Sequence, residues 1–379
     1  MRKILYICPS SGVGGAETFI KQTHLFSNPE NFKNHYLLFT TGPLYDFLKQ
    51  NKASVHLLDS PPRLSKPSDH KRVRAVIKRM VNEYNIDIIH STMAYGAIFS
   101  ASMAKKLKVK HVWFQHGPAS GWMDRLAAIL PHQGLIVNSH YTSQKQRDLE
   151  NPIRHFIPRK IPIEKILLGT QVEPISPSER SVFRSQLIKQ YGMDQDTFLI
   201  AMLCRIQAWK GIHILLEAIE EMRTKKLPPF KVIIWGEPFG GQDYTNSLNE
   251  RIRRKSLPVI MAGHCEDVRS NLAGVDCLVN ASIQPEPFGL SIIEAMMVGT
   301  LPVVPDEGGP IEIVSHGKNG LVFNAREASS LASGLSSIIS DQTLKEKLQT
   351  QAQADAQAKF SAKRAIDHLE EFYEKVMQL

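Results

Sequence analysis

The order of apolar and polar positions along the chain predicts an alternation of strands and helices. Short, continuous apolar runs such as KILYIC alternate with longer segments in which apolar residues recur every three or four positions. Continuous apolar runs between amphipathic helices indicate a parallel sheet with helices on both faces. In the first half, we expect helices at 17–26 and 70–84, and strands at 3–8, 35–40, 54–58, 86–91, 109–116 and 134–139.

The same pattern returns in the second half. It predicts a helix at 210–224 and strands at 198–206, 231–237, 258–263, 276–282 and 300–306. Residues 167–181, LLGTQVEPISPSERS, are rich in Pro and Ser and are interpreted as a linker. We therefore predict an α/β protein with two doubly wound Rossmann-like domains, 1–170 and 171–359, that face each other across a cleft. A helix at about 360–379 is expected to pack back on the first domain. Ligands are expected at the carboxyl ends of the strands.

Length and cysteine content agree with this organisation. The 379 residues suit two domains of roughly 150–200 residues each. The four cysteines contain no C-x-x-C pair, so neither a disulfide framework nor a zinc site is indicated. No apolar run approaches the roughly 20 residues that span a bilayer. A cytoplasmic location is expected, with a possible position at the inner face of the cytoplasmic membrane.

The charge is distributed unevenly. Residues 1–170 contain 24 Lys and Arg against 11 Asp and Glu, whereas the remainder contains 22 against 26. A basic first half favours an anionic partner. The helix at 70–84 presents Lys71, Arg72, Arg74, Lys78 and Arg79 opposite its apolar face. Peripheral contact with an anionic membrane is one interpretation, and a solvated helix face is the other. Nucleic acid is not expected, because no recognition helix, aromatic ladder or zinc module is found.

Three loops carry candidate chemistry, and the first follows the first strand. In PSSGVGGAETF, Gly12, Gly14 and Gly15 lead into a helix whose first turn carries Glu17. Glycines allow close backbone approach to a ligand, and a helix N-terminus favours an anion. The spacing is not G-x-G-x-x-G, and no Walker lysine follows. A tight turn without a ligand explains the loop equally well.

The second and third loops lie in the second half. In CRIQAWKG, Arg205 and Lys210 are suited to clamp a diphosphate, although plain surface charge is an alternative. In EPFGLSIIE, Glu286 and Glu294 flank a helix start at which backbone amides can meet a ligand. Because the two acids lie at different depths, hydroxyl binding at both ends of a nucleotide sugar fits them better than a hydrolytic pair.

Several motifs together resemble a known family. E-P-F-G-L-x-x-x-E is followed by A-M-x-x-G-T-x-P-V-V and G-G-P-x-E-I-V. GGAE, DIIHS, VWFQHG, R-I-x-x-x-K-G and GVDCLVNAS occur in the family's order. The chain thus resembles the retaining family 4 glycosyltransferases of the GT-B fold, more strongly in its second half. It departs from them at 169–171, where many relatives have Asn-Gly-Val-Asp, and at 280–282, where they have Pro-Ser.

The resemblance implies roles for single residues. Glu286 would bind hydroxyls of the donor sugar, and Glu294 would bind the ribose hydroxyls. The amides of Phe288, Gly289 and Leu290 would contact sugar and phosphate. Further expected contacts are to the diphosphate from Arg205, Lys210, Gly14 and Gly15, and to the donor sugar from His116.

The function expected from the resemblance is retaining transfer of a sugar from a nucleotide-diphosphate sugar to a glycan, glycolipid or other hydroxyl acceptor. Cell-envelope polysaccharide or lipopolysaccharide synthesis is the expected setting. Front-face attack needs neither a metal nor a cofactor, and none is expected. The alternatives are an epimerase or phosphorylase of the same fold, or a non-enzymatic protein that binds an anionic polymer or nucleic acid.

Overall fold

The structure is a computed structural model that describes residues 1–156 and 162–379. Its strands are β1 (Arg2–Cys8), β2 (Phe32–Leu38), β3 (Ser54–Leu57), β4 (Ile88–Thr92), β5 (Lys110–Gln115), β6 (Gly134–Val137), β7 (Ile163–Lys165), β8 (Phe198–Leu203), β9 (Phe230–Trp235), β10 (Val259–Gly263), β11 (Cys277–Val279), β12 (Leu301–Pro305) and β13 (Leu321–Phe323). Its helices are α1 (Gly15–Phe26), α2 (Pro43–Gln50), α3 (Pro67–Tyr84), α4 (Met93–Leu107), α5 (Trp122–Ile129), α6 (His140–Glu150), α7 (Pro177–Tyr191), α8 (Ile212–Met222), α9 (Asp243–Arg254), α10 (Val268–Ala273), α11 (Leu290–Met297), α12 (Pro310–Ile313), α13 (Ala328–Ser340), α14 (Gln342–Lys359) and α15 (Ala362–Gln378).

These strands form two parallel sheets. The first has the order β3-β2-β1-β4-β5-β6-β7, and the second has the order β10-β9-β8-β11-β12-β13. In each sheet the strand order reverses once, between β1 and β4 and between β8 and β11, which is the doubly wound arrangement. The prediction of two doubly wound α/β sheets is confirmed. The short edge strands β7 and β13 were not predicted.

The chain divides into two compact units. Unit 1 comprises Met1–Gly169 and Ala362–Leu379, and unit 2 comprises Thr170–Ser361. Each unit has its own sheet and its own buried apolar residues. The carboxyl ends of β1 and β4 in unit 1, and of β8 and β11 in unit 2, are therefore the two places where the fold favours a ligand.

Helix α15 completes unit 1. The Tyr373 hydroxyl is hydrogen-bonded to His90 Nδ1 at 2.7 Å. Both ends of the Arg2 guanidinium fork donate to Glu374, each at 3.0 Å. A Cβ at Gly134 in β6 would lie 2.6 Å from the Phe372 ring, so only glycine allows this contact. Helix α15 thus covers part of the core of unit 1, although the sheet of that unit comes from the first part of the sequence.

The linker interpretation of residues 167–181 is wrong for its second half. Helix α7 begins at Pro177, with Ser176 as its N-cap. Glu179 N donates to Ser176 Oγ at 3.3 Å, and Ser176 N donates to Glu179 Oε2 at 2.8 Å. This reciprocal pair is a capping box. Ser, Pro and Glu therefore mark a helix start here, and not an extended connection.

Unit 1 buries several histidines. His90, His111, His116 and His132 are all buried within or beside strands β4 to β6. Burial opposes the charged imidazolium, so it lowers the pKa of His90 and His116 to about 3 and that of His132 to about 4. These side chains are therefore neutral in the folded unit at neutral pH.

The buried histidines predict that the protein loses stability in mild acid. In the unfolded chain they take up protons below about pH 6.5, whereas the folded unit resists this until far lower pH. Each such histidine lowers the free energy of unfolding by about 1.4 kcal/mol per pH unit below 6.5. We expect the calorimetric unfolding temperature to fall steeply between pH 6.5 and 5. His132→Gln should make that fall shallower, and exposed His264→Gln should leave it unchanged; equal slopes in all three proteins would contradict the assignment.

Candidate functional site

The loops that follow β8 and β11 touch at the strand-order reversal of unit 2. Gly211, after the turn Ala208–Lys210, has φ 71°. A Cβ at Gly211 would lie 1.8 Å from the carbonyl oxygen of Ala281. The Ile283 amide donates to the Trp209 carbonyl at 2.8 Å. The two loops are thus joined through their main chains, and only glycine fits at position 211.

This contact brings Lys210 and Glu286 together. Lys210 Nζ donates to Glu286 Oε2 at 2.6 Å, and each side chain is only 14% exposed. Ser282 Oγ donates to the same carboxylate oxygen at 3.0 Å. Within the described residues, Glu286 Oε1 has no hydrogen-bond partner. One carboxylate oxygen is therefore fixed by the protein, while the other remains able to accept from a ligand.

Arg205 supplies a second cation at the same edge. It lies two residues after β8, is exposed, and has its guanidinium carbon 4.6 Å from the centroid of the Phe239 ring. No carboxylate in the described parts of the chain forms an ion pair with it. Lys210 is likewise held over an aromatic ring, since its Nζ lies 4.0 Å from the centroid of Trp209. Both cations are thus oriented by cation–π contacts.

Gly308 and Gly309 pack closely against the main chain at Glu286. The Gly309 amide donates to the Glu286 carbonyl at 2.8 Å. A Cβ at Gly308, which has φ 78°, would lie 2.6 Å from that same oxygen. A Cβ at Gly309 would lie 2.6 Å from Phe288 Cα. The G-G-P motif is therefore a close main-chain contact that fixes the position of Glu286.

The start of helix α11 lies between the two acids. Gly289 is its N-cap, with φ 108°, and the helix begins at Leu290. Within the described chain, the amides of Phe288, Gly289 and Leu290 have no acceptor. Phe288 is buried and packs edge-on against Phe360. The three amides named from the sequence are thus unoccupied donors at a helix N-terminus, as an anion or hydroxyl would require.

Glu294 differs from Glu286 in its electrostatic surroundings. It lies one turn into α11, only partly exposed, and no cation or hydrogen-bond donor in the described residues pairs with it. Burial raises the pKa of Glu294 to about 8. Glu286 is held by a lysine, whereas Glu294 has no partner among the residues that the structure describes. A ligand that donates hydrogen bonds to Glu294 would favour its ionised form.

In unit 1, the glycine loop is anchored to the start of α2. The Ser11 carbonyl accepts from the Leu44 amide at 3.1 Å, and Ser11 Oγ accepts from the Tyr45 amide at 2.9 Å. Gly14 is the N-cap of α1 in an extended conformation, and no side chain caps the helix. A Cβ at Gly14 would lie 2.8 Å from Glu17 Oε2. The first turn of α1 is therefore without a side-chain cap, and the carboxylate of Glu17 lies beside Gly14.

His116 lies at the carboxyl end of β5, and its ring stacks on Phe114 with 3.8 Å between ring centroids. Neither of its ring nitrogens has a hydrogen-bond partner in the described part of the chain. Its carbonyl accepts from Asn138 Nδ2 at 2.9 Å. By contrast, Ser91 at the end of β4 is hydrogen-bonded inside the unit, to Ser100 Oγ at 2.6 Å. His116 is thus a buried ring beside the carboxyl end of β5, and both of its nitrogens are without a hydrogen-bond partner among the described residues.

Several residues at these edges were missed from the sequence. Met93 follows β4 with φ 58°, a conformation that costs energy for a residue with a side chain. Trp122 is 64% exposed at the start of α5. Asp124 fixes the loop before it by accepting from Gln115 Nε2 and from the amides of Ser120 and Gly121, at 2.9–3.1 Å. An exposed tryptophan on a fixed loop has no periodic sequence signal.

The basic face of α3 borders a groove against α4. The groove has a volume of about 680 Å³, and no carboxylate of the described residues lines it. Its basic side chains are Lys71, Arg74, Lys78 and Lys106, and its apolar ones include Leu64 and Met103. Arg72 does not line the groove, because it donates to Asp69 and Ser60; Arg79 is exposed outside it. In the described residues, no helix combines the length and apolarity needed to cross a membrane.

Most of unit 2 matches a known protein family. Residues 183–355 match the family model described as Glycosyl transferases group 1. This part of the chain is therefore similar to a group 1 glycosyltransferase domain. It contains Arg205, Lys210, Glu286 and Glu294, so the four side chains of the unit 2 site lie within the matched region. The family resemblance is thereby confirmed, whereas the roles of the single residues stay predictions.

Similarity to known proteins reaches beyond the matched residues 183–355. The putative glycosyltransferase EpsD of Bacillus subtilis is 23% identical over 321 residues, 80% of each chain. A D-inositol 3-phosphate glycosyltransferase of Corynebacterium kroppenstedtii is 27% identical over 60% of this chain and 51% of its own length. Crystal structures of HepE from Anabaena, with UDP or with UDP-glucose, cover 99% of this chain and all of HepE. Their identities are 24% and 25%, and their TM-scores are 0.85 and 0.83. The GT-B-like fold is confirmed.

The unpaired state of Glu294 predicts a pH-dependent penalty on stability. Its carboxyl titrates near pH 8 in the folded protein and near its ordinary value when unfolded, so the free energy of unfolding falls as the pH rises from the ordinary value towards 8, and the loss is complete above pH 8. Glu294→Gln should therefore raise the free energy of unfolding on the order of 2 kcal/mol at pH 9, and the gain should vanish towards pH 5. Denaturant titrations at both pH values measure this. The exposed-surface variant Glu221→Gln is the control, and a pH-independent effect of Glu294→Gln would refute the explanation.

Proposed function

We propose that the chain transfers a sugar, with retention of anomeric configuration, from a nucleoside diphosphate sugar to a hydroxyl group of a glycan or glycolipid. The observation that carries this proposal is the Lys210–Glu286 pair, with 2.6 Å between Nζ and Oε2, beside the unpaired Arg205 in a group 1 glycosyltransferase domain. Cations for a leaving diphosphate and a carboxylate for sugar hydroxyls stand at one sheet edge. The UDP and UDP-glucose complexes of HepE support a nucleotide sugar as the donor.

The leaving group determines the chemistry of the cations. When the bond between the anomeric carbon and the diphosphate breaks, its electron pair adds negative charge to the phosphate oxygens. Arg205 has no carboxylate counter-ion in the described residues, and Lys210 has one. Both are already oriented on the rings of Phe239 and Trp209. Charges that are positioned before the reaction stabilise the transition state without reorganisation.

The two acids would bind the two ends of the donor. The free Oε1 of Glu286 accepts from a sugar hydroxyl, and the unoccupied amides of Phe288, Gly289 and Leu290 donate to sugar and phosphate oxygens. Glu294 accepts from the ribose hydroxyls. Because Glu294 has an elevated pKa and receives no hydrogen bond from the described residues, two ribose hydroxyls would lower that pKa and stabilise its carboxylate.

Retention would follow from attack on the same face from which the diphosphate leaves. In this mechanism the diphosphate accepts the proton of the attacking hydroxyl, and no covalent enzyme intermediate forms. The side-chain cations supply the charge stabilisation for the diphosphate, so the proposal includes no metal or cofactor.

Unit 1 is proposed to bind the acceptor. The exposed ring of Trp122, on the loop fixed by Asp124, offers an apolar surface to one face of an acceptor sugar. Gly14, Gly15 and His116 keep the donor-side roles that the family resemblance implies. We place this acceptor in cell-envelope polysaccharide or lipopolysaccharide synthesis, a setting that agrees with the membrane contact proposed below.

Glu286→Ala tests the donor site. We expect transfer to fall about 100-fold or more, because a contact that strengthens in the transition state is lost. The thermal shift produced by UDP alone should persist, since Glu294 and Arg205 remain. Product formation is followed by chromatography of labelled acceptor, and the anomeric configuration by NMR. Glu221→Ala, which breaks an exposed pair with Lys225, is the matched control.

Three results would count against the proposal. Near-normal turnover of Glu286→Ala would remove the donor-site assignment. Epimerisation or phosphorolysis of the sugar without transfer would indicate another reaction. Loss of transfer after chelator treatment, restored by a divalent ion, would contradict the metal-independent mechanism.

We also propose that the groove between α3 and α4 binds anionic phospholipid head groups. It combines the cations of Lys71, Arg74, Lys78 and Lys106 with an apolar floor that contains Met103. This is the composition of a surface that lies against a leaflet. Each well-placed cation adds about 1 kcal/mol to membrane binding. Exposed Arg79 adds to the positive electrostatic potential at this surface. Arg72 contributes less to that potential, because it is paired with Asp69.

Vesicle sedimentation tests the groove. The native protein should bind phosphatidylglycerol-containing vesicles and not pure phosphatidylcholine vesicles. Replacing the four groove cations by Ala should weaken binding at least about tenfold. The charge-matched control replaces the exposed lysines of unit 2, Lys189, Lys225, Lys226 and Lys318. Equal loss in both variants, or equal binding to both lipids, would refute a specific groove.

A further inference from the structure

Unit 2 contains a cavity beside the Lys210–Glu286 pair, separate from the α3–α4 groove of unit 1. It has a volume of about 520 Å³ and is formed by the loops that follow β8, β9 and β11. This volume is in the range of small-molecule sites. Neither Lys210 nor Glu286 lines it, so the cavity is a neighbour of the proposed donor site and is not accounted for by it.

Three aromatic side chains, Trp209, Phe239 and Tyr244, line the cavity. Each is held by a partner that does not line it. Lys210 lies over the Trp209 ring, and Arg205 lies over the Phe239 ring. The Tyr244 hydroxyl is hydrogen-bonded to His213 Nδ1 at 2.9 Å. These aromatic walls are therefore positioned before any ligand arrives. Phe239 nevertheless remains 53% exposed.

The polar groups of the cavity are amides and one carboxylate. Gln207 uses its oxygen to accept from Trp209 Nε1 at 2.9 Å, which leaves its side-chain NH₂ as a donor. Gln284 and Asp243 are exposed, and in the described residues their side chains have no hydrogen-bond partner. No lysine or arginine lines the cavity. Such a lining disfavours a phosphate and suits neutral hydroxyl groups, which both donate and accept.

A pyranose ring has the complementary chemistry. Its axial C–H groups make one face apolar, which packs on an aromatic ring, while its equatorial hydroxyls point outward to amide and carboxylate groups. We propose that this cavity binds a neutral pyranose unit of the glycan acceptor. The proposal rests on the proposed function, and it adds to unit 2 a saccharide subsite separate from the nucleotide.

The cavity also connects acceptor binding to the cations of the donor site. A sugar that packs on Trp209 and Phe239 contacts the same two rings over which Lys210 and Arg205 lie. Occupancy would restrict these rings, and with them the two cations. We would then expect a glycan acceptor to give both a higher turnover and a higher affinity than a simple alcohol.

Saccharide binding to the intact protein tests the proposal. The probes are short neutral gluco- and galacto-oligosaccharides, detected by saturation-transfer NMR and titrated in the presence of saturating UDP. We expect binding that UDP does not displace. The double variant Gln284→Ala/Asp243→Asn should raise the apparent Kd at least tenfold while the UDP thermal shift is unchanged. Gln190→Ala, an exposed glutamine on α7, is the control and should bind like the native protein.

The outcomes separate this proposal from the proposed function. Saccharide displaced by UDP, saccharide affinity unchanged in the double variant, or no binding by any probe would overturn the subsite. In each of these cases, the UDP shift would still stand as support for the donor site. Retained saccharide binding without any nucleotide shift would instead contradict the proposed function and leave the subsite in place.

Discussion

The site of unit 2 depends on main chains that approach each other more closely than any side chain permits. Gly211 lies against the carbonyl of Ala281, and Gly236 lies against the carbonyl of Cys204; a Cβ at either position would be 1.8 Å from that oxygen. Gly308 and Gly309 support the chain at Glu286 in the same way. These contacts leave the loops little freedom to slide. The ion pair, the helix start and the aromatic cavity all take their positions from this packing of backbone on backbone.

The two glutamates of EPFGLSIIE illustrate how this framework separates chemically identical groups. Glu286 lies on the supported loop, where Lys210 and Ser282 hold one of its oxygens. Glu294 lies eight positions later, on a helix that provides burial without a donor, and its pKa rises accordingly. Spacing alone does not reveal this difference. It arises because Glu286 lies on a loop beside Lys210 and Ser282, whereas Glu294 lies inside α11, where no cation or donor of the described residues pairs with it.

Much of the fold was predictable, because continuous apolar runs determine which strands are buried on both faces. Strands β1 and β8 and helices α3 and α8 were located within a few residues. The first turn of α7 was mistaken for a linker, since Ser, Pro and Glu are common to helix starts and extended connections. The motif loops identified Arg205, Lys210 and Glu286 as candidates. The ring of Phe239 beneath Arg205 and the hydrogen bond from Ser282 were not predictable, because they depend on loop conformations that no periodicity encodes.

Helix α15 places a constraint on the order in which the protein can be made. Arg2 binds Glu374, the Gly134 backbone lies against Phe372, and His90 is hydrogen-bonded to Tyr373. On the ribosome, unit 1 emerges first, but it lacks the helix that closes its core until residues 362–378 have been synthesised. Unit 2, whose sheet and helices lie within 170–361, has all its segments earlier. Unit 1 is thus discontinuous in the sequence: its first segment cannot bury this part of its core until a helix that follows the whole of unit 2 has been synthesised.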